Sequence, residues 1–373
     1  MSAEMGREAM ERRAWGWVAH LRDGGTTPWA AWAGEADRTG RFLPGAQQLE
    51  LLRRLNVSGL ADLDLRRRTD LVERVLTASA PGRGRPDLEL VGAVPPVTYG
   101  PQPVDPADLS ADELLRVATN LLAEDLVAAG VPPVAAPRFN RPWRPFEVAG
   151  VPWLAMPVAD EMTRRGRRPG GKGVTGFLLA TDMATMIELA FVARSFDQGG
   201  AAWRDWSASA AAGHRLPPRA DLAPMLAAWV KGIGADRVRL VLDLDQLPRL
   251  LGTRRPFAPP PVPSADATDL ARRVSAPLGL LVLPAERAEL LRRRLLPRLL
   301  DHPGPPSRLD DDQVAWAREQ GERLRRTVAG AAYEVVGSPD RLVPPRRRPP
   351  GGEVDDDRVL RLAARLLLEG GAR

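Results

Sequence analysis

The chain has 373 residues, 44% of them hydrophobic, with 27% charged residues, a formal net charge of +6 and no cysteine. That length supports a substantial core and one or two domains, and the missing cysteines exclude disulfides, thiolate metal sites and a cysteine nucleophile. The sequence pI of about 10.6 is no nucleic-acid signature: Lys172 and Lys231 are the only lysines beside three His and two Tyr, so a small positive excess drives the pI high.

In chain order, Met1 to Arg13 is polar and charged and has no apolar signal-peptide core. No uninterrupted apolar run anywhere approaches the ~20 residues of a membrane span. A soluble cytoplasmic protein without a membrane partner is expected. Abundant Arg, Ala, Leu, Pro and Gly is what a GC-rich genome gives, and it is the plain reading of runs such as Arg66–Arg68, Arg292–Arg294 and Arg346–Arg348.

Residues 1–135 read as a mainly helical region. Glu4 to Arg22 carries Trp15, Val18, Ala19 and Leu21 and stops at Gly24-Gly25. Thr27 and Pro28 suggest a cap and first position for a second helix bearing Trp29 and Trp32. Further helices are expected over Gln47–Leu55 and Leu71–Leu76. Ser110-Ala-Asp-Glu113 has the form of a capping box, opening a helix that ends at Gly130. Pro81 to Asp108 is rich in Pro and Gly and suits a surface segment, with Leu88–Val94 as a possible strand.

From 136 to 373, apolar strand-like runs alternate with helices. Strands are expected from Phe146 to a break at Gly150 and Pro152, over Val174–Ala180, Arg237–Leu242 and Leu278–Leu283, and at Tyr333–Val336. Helices are expected over Leu154–Arg165, Met183–Arg194, Leu222–Gly232, Asp269–Val274, Glu286–Leu300, Gln313–Val328 and Arg358–Glu369. The alternation predicts an α/β domain, a parallel sheet with helices on both faces. Prolines 256 to 263 and the segment Arg346–Gly352 read as linkers.

Four passages of this second part resemble the bacterial sulfotransferases that use 3′-phosphoadenylyl sulfate. They are Val148-Ala-Gly150-Val-Pro152; the turn Gly166 to Gly171; Phe177-Leu-Leu-Ala-Thr181-Asp182; and Leu226-Ala-Ala-Trp229 through Gly234 into Asp236-Arg237-Val238-Arg239-Leu240-Val241. The resemblance spans about residues 145–370 and implies a three-layer parallel sheet of P-loop type, with the cofactor's 5′ end in the first turn and its 3′-phosphate on the arginine of an Arg-Asp pair and a later serine. The chain departs at each of these places. Trp153 to Pro157 replaces the Lys- and hydroxyl-bearing turn, Thr181 stands where the arginine belongs, and the serine has no counterpart. A working anion loop needs glycines, a cation and hydroxyl donors, and losing even one oxyanion donor typically costs about 2.7–4 kcal/mol. The expectation is a sulfotransferase-like protein without ordinary catalysis, acting as a partner or regulator. The alternatives are a divergent transferase with a rebuilt anion site, which alone would use 3′-phosphoadenylyl sulfate, and an Arg-rich nucleic-acid or polyanion binder. The Arg runs lack the interleaved aromatics of the last class, so nucleic acid is the less favoured partner.

Candidate cofactor-binding positions are Gly150, Trp153 and Thr181, with Arg167 and Lys172 as the cations of a rebuilt site; no catalytic residue is assigned. Gly166 to Lys172 matches G-x-x-x-x-G-K, but Gly173 replaces the magnesium-binding hydroxyl and the loop precedes a strand instead of following one. A basic surface loop is the plainer reading; a loop whose Arg164, Arg165, Arg167, Arg168 and Lys172 reach a polyanion is the other. Asp243 and Asp245 end a strand, where α/β proteins bind ligands, and on an extended segment both would face one side. His20, His214 and His302 have no metal-ligand spacing, so no metal is expected; His214 alone sits where a base could. Asp310–Asp312 and Asp355–Asp357 precede helices and suit capping. Trp143, Trp153, Trp203 and Trp206 are packing residues by default, or an aromatic lining at the ligand edge.

Overall fold

The computed structural model describes residues 2–38, 40, 42–78, 87–96, 98–133 and 145–370. The helices of the first stretch are α1 (Ser2–Arg22), α2 (Ala46–Val57), α3 (Leu65–Thr77) and α4 (Ala111–Ala129). Then follow β1 (Phe146–Gly150), α5 (Pro152–Arg164), β2 (Thr175–Leu179), α6 (Met183–Ser195), α7 (Trp203–Ala212), α8 (Leu222–Ile233), β3 (Val238–Val241) and α9 (Leu247–Leu250). The remainder is α10 (Ala265–Leu281), α11 (Pro284–Leu290), a π turn over Leu291–Leu295, α12 (Leu296–Leu300), α13 (Asp311–Ala329), β4 (Glu334–Val336) and α14 (Asp356–Glu369). Among the described residues, no helix is long and apolar enough to cross a membrane.

The chain divides into two compact units. The first comprises Met1–Val131, Arg273–Arg298 and Val354–Arg373; the second comprises Pro132–Arg272 and Leu299–Glu353. In the first, α14 packs on α4 and α2, burying Val359, Leu360, Ala363, Leu366 and Leu367 along one stripe. Arg273 ties the starts of two helices together, donating to Asp112 of α4 at 2.5 Å and to Asp356 of α14 at 2.6 Å. Both acids sit in first turns, where negative charge is favoured. Two arginines of the 292–294 run stay within the unit: Arg294 donates to the α4 carbonyl end, Gly130 O and Ala129 O, and Arg293 pairs with Glu289.

The second unit holds a four-stranded parallel sheet in the order β1-β2-β3-β4. The coarse α/β expectation therefore holds, with strand order following chain order. Arg239 of β3 lies opposite Glu334 of β4 and pairs with it at 2.7 Å, a cross-strand ion pair that fixes the register of this short edge strand. Gly176 lets α8 lie close on β2, since a Cβ there would come within 2.1 Å of the Trp229 ring. Helix α6 is buried on nearly all sides, from Met183 through Ser195, which makes it the central helix of the unit.

Three local expectations are corrected. Leu278–Leu283 is no strand: Leu278 to Leu281 is the end of α10, and Ala267, Leu270, Ala271, Val274 and Leu278 are buried at helical spacing. A short apolar run cannot be told from a helix end by periodicity alone. Thr27 caps no α-helix; only a 3-10 turn, Trp29–Ala31, follows. The Thr27 hydroxyl bonds His20 Nε2 at 3.1 Å instead, and the segment is held by Trp29 against Trp17 and by Arg13 over the Trp29 ring. Leu88–Val94 contributes only isolated bridges, Leu90 to Val104 and Val91 to Val94. Helix α7 has no counterpart in the sequence reading.

Candidate functional site

The β1–α5 turn is built as the sequence implies, and then closed. Gly150 has φ +106°, and a Cβ there would come within 2.2 Å of Leu179 O, so only glycine lets β1 end this close to β2. The turn's amides are almost fully used. Val151 N donates to Leu179 O at 3.4 Å, Pro152 has no N–H, and Leu154 N and Ala155 N both donate to Val151 O. Trp153 N is the one first-turn amide outside these bonds. Val151, Trp153, Leu154 and Ala155 are all buried. The Trp153 indole lies 5.2 Å from Phe196, centroid to centroid, and donates from Nε1 to Pro261 O at 2.6 Å. An anion nest requires free N–H groups and room beside them; here all but one of the first-turn amides are bonded internally or absent and the turn's side chains are buried.

The other carboxyl ends of the strands remain open. A cavity of about 430 Å³ is lined by Ala180, Thr181, Asp182, Leu242–Asp245, Arg341, Val343 and Pro345. Asp243 is one of its lining residues. Gln246 donates to its Oδ2 at 2.9 Å and Arg341 to its Oδ1 at 3.0 Å; these bonds and the Arg341 charge hold its carboxyl below the usual aspartate range. Asp245 lines the same cavity and is exposed; the chain turns into a 3-10 helix at Leu244, so the two acids do not lie on one extended segment. Asp182 caps α6 by accepting from Thr185 N at 3.0 Å. Among the described residues, no group of three His, Cys, Asp or Glu side chains could hold a metal ion.

The basic loop lies at the opposite end of the sheet. Gly170 N donates to Phe146 O and Thr175 N to Pro145 O, so residues 166–173 border the amino ends of β1 and β2. Four residue steps of strand separate that end from Gly150, roughly 13 Å. Arg167 donates to Leu251 O and Gly252 O at 3.0 and 3.3 Å, Arg164 and Arg165 pair with Glu161 at 2.5 Å, and Lys172 is exposed. The candidates thus split: Gly150, Trp153, Thr181, Asp243 and Asp245 at the carboxyl end, Arg167 and Lys172 at the amino end.

A buried ion cluster behind the cleft is absent from the sequence reading. Glu188, in the middle of α6, accepts from Arg308 at 2.5 Å, from Arg348 at 2.9 Å and from Leu309 N at 3.1 Å. Arg348 also donates to Thr185 Oγ1 at 3.0 Å and lies 3.6 Å from Asp182. Burial pushes the Glu188 carboxyl up, against the opposing pull of Arg348 and Arg308. A lone acid within Met183–Ser195, an otherwise apolar helix, is the signal that could have found it. The segment Arg346–Gly352 is accordingly anchored through Arg348.

The remaining candidates are structural. His20 stacks on Trp32 at 4.5 Å. His302 follows α12 and donates from its backbone N to Leu299 O. Trp203 and Trp206 pack on Phe191 at 5.0 and 5.2 Å, and Trp203 Nε1 donates to Arg308 O; Trp143 lies outside the described residues. Asp310 forms a full capping box with Gln313, and Asp355 accepts from Arg358 N. His214 is set apart by its backbone, with φ +48°, the one positive value at a non-glycine residue among those described. No family model, curated protein or solved structure matches the chain.

Proposed function

We propose that this chain is a non-catalytic member of the sulfotransferase-type α/β class that works as a binding or regulatory protein. The observation that carries the reading is the filled β1–α5 turn: its amides are bonded internally and Trp153 is buried where a sulfuryl donor would need an anion nest. The arginine that reaches the neighbouring corner, Arg348, is engaged by Glu188, Thr185 and Asp182. The divergent-transferase alternative draws less support, because Arg167 and Lys172 border the other end of the strands. The polyanion alternative is weakened by the intramolecular engagement of Arg293, Arg294 and Arg348.

Calorimetric titration with adenosine 3′,5′-bisphosphate and with 3′-phosphoadenylyl sulfate tests it. No saturable heat is expected from either. Binding at about 1 μM, worth about −8 kcal/mol, would overturn the reading and favour a rebuilt cofactor site.

A further inference from the structure

A second cavity lies on the carboxyl side of the sheet, away from the β1–α5 turn. It has a volume of about 460 Å³ and lies between the start of α6, the 214–224 segment that leads into α8, and one face of α13. Its floor is apolar, with Met183, Leu222 and Leu324 all buried. Its rim is basic: Arg215 and Arg323 are exposed and their guanidinium groups have no carboxylate or hydrogen-bond partner among the described residues, and His214 stands beside them.

Three features make this a built site. Gln320 lines the cavity and is only 8% exposed. The first turn of α8 borders the cavity through Leu222 and Ala223, and the N-cap Asp221 makes no side-chain cap bond to it; a helix start carries partial positive charge. His214 is held at φ +48°, a conformation of the kind that collects at ligand sites. Asp221 is the one acid in the lining, against two guanidiniums.

We propose that this cavity binds a small oxyanion ester, a phosphate or sulfate headgroup on a compact apolar body. Arg215 and Arg323 grip the headgroup from two different elements, the α8 start donates to it, and the Met183–Leu222–Leu324 floor takes the apolar body. Guanidinium groups suit oxyanions because they donate in pairs. The site is separate from the closed β1–α5 turn, so its occupancy does not depend on the nucleotide result.

The test is calorimetric titration of the full chain with phenyl phosphate, phenyl sulfate and benzoate, with inorganic phosphate as competitor. We expect phenyl phosphate or phenyl sulfate to bind with Kd below about 1 mM, within the range for a ligand of this size. Affinity should fall as salt rises, and inorganic phosphate should compete. Binding should weaken about tenfold or more in the Arg215→Ala/Arg323→Ala double variant; both side chains are exposed, so its circular dichroism and melting temperature should match the parent's. Absence of saturable binding by either ester, or equal affinity in the double variant, overturns the proposal. Benzoate binding as tightly as the esters overturns the headgroup assignment. Phenyl phosphate carries no adenine, so its failure and the failure of the nucleotide prediction are read separately.

Discussion

Replacing Glu188 by alanine should unfold the second unit more readily than its small volume change suggests. The Glu188 side chain is 6% exposed and its two oxygens take three donors: Arg308, Arg348 and Leu309 N. Removing one member of a buried ion cluster typically costs about 3–5 kcal/mol, because the partners stay buried without compensation. The lower end applies here, since Arg308 keeps 24% of its side-chain surface in water although Arg348 keeps only 11%. A loss of ~3 kcal/mol corresponds to a fall in melting temperature of roughly 6–12 °C. Urea unfolding followed by tryptophan fluorescence reads it, since Trp153, Trp203 and Trp229 belong to the same unit. Replacing a whole buried ion cluster by apolar residues of similar volume is often neutral, so the triple variant Glu188→Leu, Arg308→Met, Arg348→Met should recover most of the loss. The pH dependence supplies a second arm. Burial raises the folded pKa of Glu188 above its unfolded value, so the folded state binds its proton more tightly. Its contribution is fully present below the unfolded pKa and is lost as pH rises through the folded one. The slope of stability against pH in that window should be more negative in the parent than in Glu188→Gln; the raised pKa of Asp125 is common to both proteins and cancels. A Glu188→Ala loss below about 1 kcal/mol would refute the reasoning, because it would mean that water reaches both guanidiniums.

Gly150→Ala should cost about 3 kcal/mol or more by forcing a left-handed backbone on a residue whose Cβ meets Leu179 O, and a melting curve matching the parent's would count against the close strand approach. Trp153→Ala should cost about 3–5 kcal/mol through the void left beside Phe196, read by urea unfolding; a near-neutral result would mean the indole is not a packing element. Asp243, held low first by its Gln246 bond and then by Arg341, should titrate below the ordinary aspartate value when followed by carboxyl NMR. Its contribution to stability is present above the unfolded pKa and lost as pH falls through the folded one, and a value above the ordinary range would remove Arg341 and Gln246 as its partners.

Local rules read much of this chain correctly from sequence. Ser110, Asp310 and Asp355 each accept a first-turn amide bond at a helix start, because an N-cap is a contact between residues three apart. The strands at Phe146, Thr175, Val238 and Glu334 came from short apolar runs bounded by Gly, Asp or Pro, which is what buried parallel strands require. Leu278–Leu283 misled for the same reason that those succeeded: length and composition describe a buried strand and a helix end equally well.

The candidate site was legible in its parts and not in its arrangement. The sequence alone determined that the β1–α5 turn lacks a cation and hydroxyls, since that depends only on which residues occupy 151–157. Only the tertiary structure decided that Trp153 is buried against Phe196 and bonded to Pro261 O, that Arg167 and Lys172 border the far end of the strands, and that Arg348, one of three identical neighbours, is the one buried against Glu188. The reason is physical. Caps and strand breaks are settled by bonds between residues a few positions apart, whereas the use of an arginine or an indole is settled by partners 108 and 160 positions away, brought near by packing that no local pattern encodes.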